Sequence, residues 1–250
     1  ALVISEFSSD ASWTVGRAGM RYRDLIPNRL GGAFIASHIH IPSGGQVPDY
    51  VHYHRISFQM IYCKSGWVRV VYEDQGESFV MQAGDCVLQP PEIRHRVLES
   101  SDNLEVIEIG SPAEHETFAE HEITLPTSTL RPDRDFSGQK FVRHIATETQ
   151  WLPWRFPGFV SRNTGIDKAT AGFASAETVR GEVGATITDT KKSHELFFVF
   201  VLNGSVSLST KDSNQKTILN INSSVALPSN CEFKLEITSP NTEMLIVLQP

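Results

Sequence analysis

Between Gly45 and His95 the chain carries three histidines and a glutamine, His52, His54, Gln59 and His95, at spacings that can bring them to one centre. Side chains two apart on a strand project from the same face, so His52 and His54 point the same way. Gln59 lies an odd number of residues beyond His54, so the chain must bend or turn between them. Arg55 and Ser57 permit that break before the β-forming run Phe58-Gln59-Met60-Ile61-Tyr62-Cys63. Lys64-Ser65-Gly66 ends this run as a turn. A second β-rich run, Asp85 to Gln89, stops at Pro90-Pro91 with His95 just past it. Antiparallel pairing sets the two runs side by side. Three imidazoles and a carboxamide gathered in this way form a metal site. The imidazole content excludes an oxygen cage for magnesium or calcium and leaves iron(II), manganese, nickel, cobalt and zinc.

The same residues resemble the two motifs of the cupin superfamily, G-x5-H-x-H-x3/4-E-x6-G and G-x5-P-x-G-x2-H-x3-N. The first reads Gly45, His52, His54, Gln59, Gly66, with one extra residue before the first histidine; the second reads Gly84, Pro90, Glu92, His95, Glu99. Gln59 stands where most members have glutamate, Glu92 replaces a glycine, and Glu99 replaces an asparagine. The resemblance implies an all-β chain of two double-stranded β-helix (jelly-roll) barrels in tandem, with His52, His54, Gln59 and His95 as the four protein ligands of one divalent ion.

A lone histidine on a mixed strand is usually structural or exposed, and His115, His121 and His144 are expected in that class. His38 and His40 share one face of Phe34 to Ile41, whose other face carries Ile35, Ile39 and Ile41. One set faces a core, the other a pocket or solvent. Glutamine in place of glutamate removes a potential general base, because an amide takes up no proton at useful pH. Glu99, an even number of residues beyond His95, is one candidate for that role; His38, His40 and Tyr62 are weaker ones.

The elements that must position these groups are short strands. From Phe34 to Ile109, β-rich runs alternate with turns such as Asp74-Gln75-Gly76, without a long amphipathic pattern. Residues 1–110 read as a leading segment plus the metal-bearing barrel. Residues 111–140, rich in proline and charge, read as a linker with a short helix near Ala113 to Glu122. Residues 141–250 read as a second, degenerate barrel. That second half repeats the first: Trp13 and Arg17 correspond to Trp151 and Arg155, Gly66 to Gly204, Pro90 to Pro228, and Glu105 to Glu243, each 138 apart. The same offset carries the four site positions onto Thr190, Lys192, Phe197 and Phe233, a set unable to hold a cation. His194-Glu195 lies out of register and is expected at the surface.

The net charge of −7, without a basic stripe, argues against nucleic acid. No apolar run is long enough to span a bilayer as a helix, no signal-peptide pattern opens the chain, and the three cysteines read as reduced thiols, so a cytoplasmic protein is expected. Three neutral imidazoles and a neutral amide leave a divalent ion its full charge, favouring a small anionic, oxygenated substrate such as an enolate, hydroxy acid or keto acid. The resemblance implies an enzyme, with dioxygenation on iron(II) as the commonest chemistry. Glutamine in the first motif resembles cupins that linearise unsaturated uronates, which points to a non-redox isomerase, epimerase or lyase acting on a keto or uronic acid. A binding module without turnover is the third class. A monomer or homodimer is expected.

Overall fold

The computed structural model describes residues 2–8, 12–189, 195–211, 213–229 and 231–249. They form antiparallel β-sheets with almost no helix: one short α-helix, Ile166–Ala169, and two single 3-10 turns. No described helix is long and apolar enough to cross a membrane. The chain divides into two compact units, one of Ser12–Ala146 with Ala169–Ala171, the other of Ala1–Ala11, Thr147–Lys168 and Gly172–Pro250.

In the first unit, a seven-stranded sheet runs in the order Val142–His144, Cys86–Leu88, Phe58–Ser65, Leu104–Ser111, Ile35–Ile41, Arg21–Asp24, Thr14–Val15. A second sheet holds Glu116–Ala119, His52–Arg55, His95–Ser100, Trp67–Tyr72 and Phe79–Gln82, with Gly45–Gln46 added to its middle strand. Alternation drives their packing. Ile39 and Ile41 from the first sheet meet Val68 and Val70 from the second in a shared apolar core. The sheets remain open among the described residues instead of closing into the expected barrel.

The second unit builds its larger sheet in the same order, Val3–Ser5, Ser224–Pro228, Leu196–Asn203, Glu243–Gln249, Ser175–Gly181, Phe159–Asn163, Leu152–Pro153. The 138-residue offset survives in the register itself. Leu88 pairs with Met60 and Ala226 with Phe198; Gly110 pairs with Gln59 and Leu248 with Phe197. Even the irregularity opposite Ser65 recurs opposite Asn203. Gly66 and Gly204 both turn their hairpins at φ of +75°, a left-handed backbone that glycine adopts without strain.

Residues 111–140 lie within the first unit. In place of the short helix expected near Ala113 to Glu122 there is a strand, Glu116–Ala119, that completes the smaller sheet beside His52–Arg55. Further along, Thr127, Arg131 and Arg134 close onto Asp74. Sheet-edge pairing outweighs the weak local helix preference of these residues.

Candidate metal centre

His52 and His95 are direct cross-strand partners, which sets their rings 4.3 Å apart, centroid to centroid. His54, two residues along, projects from the same face, 5.2 Å from His52 and 5.3 Å from His95. One ring nitrogen of each lies within 4.8 Å of the other two; among the described residues this is the group able to hold a metal ion. The Nδ1 atoms are all tied down. His52 donates to Tyr50 O at 2.9 Å, His95 to Ile93 O at 2.9 Å, and His54 meets Thr117 Oγ1 at 2.8 Å. The two carbonyl contacts fix His52 and His95 as Nδ1–H tautomers and leave Nε2 as the ligating atom, the usual outer support of metal-binding histidines, while the Thr117 hydroxyl serves either tautomer of His54.

Electrostatics agree. Burial, together with the neighbouring rings and Arg17, pushes the His54 imidazole down to about 3 and His95 well below its ordinary value; burial likewise lowers His52. All three are neutral at pH 7, and neutral imidazole is the form that ligates. The donor set therefore fits a divalent transition metal.

Gln59 is buried beside them. Its Nε2 donates to Glu108 Oε1 at 2.8 Å, and its Oε1 accepts from Gln89 Nε2 at 3.1 Å. Gln89 in turn accepts from Tyr72 Oη at 2.7 Å and stands 3.4 Å from His95 Nε2. The Glu108 carboxylate thus fixes which end of the Gln59 amide carries the oxygen.

Glu108 and Arg17 line the same pocket, and the sequence reading named neither as functional. Glu108 shares its strand face with Leu104 and Val106, both core residues. A carboxylate at an inward position of an alternating strand is a signal that could have been read. Burial raises its pKa, opposed by the Gln59 amide, His115 and Arg17. Arg17, on a 3-10 turn of the leading segment, extends Nη2 to 3.3 Å from His52 Nε2. Its Nη1 lies 3.4 Å from Asp49, and that carboxylate offsets the added positive charge. Asp49 itself is held by the Val97 amide. His115, expected to be structural, lies 5.5 Å from the His54 ring.

The remaining candidates lie elsewhere. Ile39, Ile41 and Ile61 line the pocket, so His38, His40 and Tyr62 project from the opposite face of their strands. His38 Nδ1 accepts from Arg23 at 3.2 Å while its Nε2 donates to Glu105 at 2.5 Å. His40 faces Trp13 and Asn103. Tyr62 is 2% exposed within the sheet. Glu99 is set apart from His95 by an irregularity between Val97 and Glu99 that upsets the two-residue alternation, and it pairs with Arg69 at 3.5 Å.

At the equivalent place in the second unit, Phe197 and Phe233 pack edge to face at 5.0 Å inside a continuous apolar core. Thr190, Lys192 and His194 lie outside the described residues, and Glu195 is exposed.

Residues 37–110 match the family model described as Cupin domain. No curated protein matches the chain. Among solved structures, oxalate decarboxylase of Bacillus subtilis at pH 4.6 superposes with a TM-score of 0.68 at 14% identity over 99% of this chain and 76% of that one. Oxalate decarboxylase of Lactobacillus farciminis in a formate complex gives 0.69 at 13% over 99% and 86%. A third structure, concerned with the Mn(II) centres of the Bacillus subtilis enzyme, gives 0.69 at 14% over 99% and 77%. The shared fold and the family match agree with the histidine geometry: residues 37–110, which match the cupin-domain model, hold all three histidines.

Proposed function

We propose that this protein is a metal-dependent enzyme acting on a small anionic, oxygenated substrate, with His52, His54 and His95 as nitrogen ligands and Gln59 offering its amide oxygen. The observation that carries the reading is that one ring nitrogen of each of the three histidines lies within 4.8 Å of the other two, while each Nδ1 has a hydrogen-bond partner. A divalent ion there would supply Lewis-acid polarisation of a substrate oxygen. The oxalate decarboxylases of the same fold include one described with Mn(II) centres, which keeps manganese beside iron, nickel, cobalt and zinc. In this reading the chain is a duplicated cupin whose amino-terminal copy is active and whose carboxy-terminal copy is structural. Phe197 and Phe233, at the positions of Gln59 and His95, support that division.

Dioxygenation is the commonest chemistry implied by the resemblance. Glu108 favours the alternative, a non-redox isomerase, epimerase or lyase, because it sets a carboxylate on the wall of the same cavity, hydrogen-bonded to Gln59. Such a group can take a proton from a substrate carbon and return it, the function that Gln59 cannot perform. Arg17 orients the anionic end, and the apolar walls exclude water. The test is solvent deuterium uptake into a panel of keto, hydroxy and uronic acids, run alongside oxygen consumption on the iron-loaded protein. Deuterium exchange that falls at least a hundredfold in Glu108→Gln, without oxygen uptake, is the expected result. Oxygen uptake with unlabelled product supports dioxygenation instead, and neither signal across the panel supports a binding module.

A further inference from the structure

The cavity around the histidines encloses about 460 Å³. Part of its wall presents the three imidazoles, Gln59, Glu108 and Arg17, and Arg96 also reaches the lining; most of the remainder is apolar, with side chains such as Met20, Ile39, Ile61, Val70, Met81 and Val106. These residues are not scattered over a surface. Met20, Ile39, Val70, Met81 and Val106 belong to the apolar core between the two sheets, with Ile61 packed against it. The sheets therefore line a largely apolar chamber with a polar, hydrogen-bonding head that includes the Arg17 guanidinium. A two-carbon dianion would leave most of that chamber empty and its apolar wall without a partner.

We infer that the ligand is a monocarboxylic acid carrying an apolar chain or ring. Its carboxylate meets the Arg17 end and its hydrocarbon fills the space against Val70 and Met81. Arg17 suits the head because its guanidinium offers five N–H donors in a planar fork, and Asp49 holds it in place. This deepens the proposed function by naming the substrate class, and it rests on that reading for the identity of the site.

The probe is a series of straight-chain carboxylates, acetate, butyrate, hexanoate and octanoate, with oxalate beside them. Each is titrated calorimetrically into metal-loaded and metal-free protein, and the metal content of each sample is measured separately. Affinity is expected to rise about threefold to fourfold per methylene, with oxalate and acetate weakest. Arg17→Gln should weaken every acid at least about tenfold while the dependence on length persists. Val70→Trp should flatten the length dependence. Met81→Phe, a smaller change to the same wall, should flatten it part of the way and decides the matter if Val70→Trp does not fold. A flat or inverted series, oxalate as the tightest ligand, or an undiminished length dependence in both wall variants overturns the inference. Failure to retain metal removes the proposed function instead, and the series on metal-free protein still decides the class of ligand.

Discussion

Replacing Glu105 by glutamine tests the electrostatics that brace the sheet behind the site. Glu105 lies on the strand that also carries Glu108, and its carboxylate accepts from His38 Nε2 at 2.5 Å and Lys64 Nζ at 2.9 Å. Burial opposes its ionisation, but these donors outweigh burial and hold the carboxyl at about 2, against an ordinary 4.5. A group depressed in this way stabilises the fold fully above pH 4.5 and loses that contribution as pH falls through 2. The difference amounts to about 3 kcal/mol at neutral pH, and one quarter exposure of the side chain trims it to about 2 kcal/mol. At pH 3 only about 1 kcal/mol of it remains. Glu105→Gln keeps an acceptor for one donor but no charge for Lys64. It should therefore lower the denaturation midpoint by about 6–10 °C at pH 7 and by roughly half as much at pH 3. Thermal unfolding at the two pH values, followed by tryptophan emission and circular dichroism, measures both. An equal loss at pH 3 and pH 7, or none at pH 7, would refute the reasoning.

Gln59→Glu would set two carboxylates where Gln59 Nε2 now donates to Glu108 at 2.8 Å. The metal-free protein should lose about 1–3 kcal/mol, because a buried acceptor is left without its donor, and metal should restore part of the loss; midpoints with and without metal read this. Phe197→Ala removes a 3% exposed ring from the core of the second unit and should cost about 3–5 kcal/mol in chemical denaturation. A loss below about 1 kcal/mol would show that the position is not packed as described.

The histidine cluster was legible because its signal is local: a two-residue spacing on a strand and a third ring just past a proline turn. The 138-residue repeat was legible because turn glycines and prolines mark fixed points in both halves. Glu99 misled because the irregularity before it breaks the alternation that the inference required. His38 and His40 were assigned to a common face correctly, yet the cavity proved to be apolar, so the isoleucines face it and the histidines do not. Arg17 could not be read at all. It reaches His52 only because the leading segment, 35 residues away in the chain, folds back across the pocket. Residues 116–119 looked neutral between helix and strand, and only the free edge beside His52–Arg55 decided them.

Metal analysis tests the central claim most directly. Wild-type protein, His54→Ala and His95→Ala are incubated in turn with each of the five candidate ions, desalted under mild conditions, and measured for metal bound per chain. The wild type should hold about one ion of at least one kind and each variant less than about a tenth of that, with far-ultraviolet circular dichroism unchanged. Wild-type protein that retains none of the five ions, or variants that retain as much as the wild type, would contradict it.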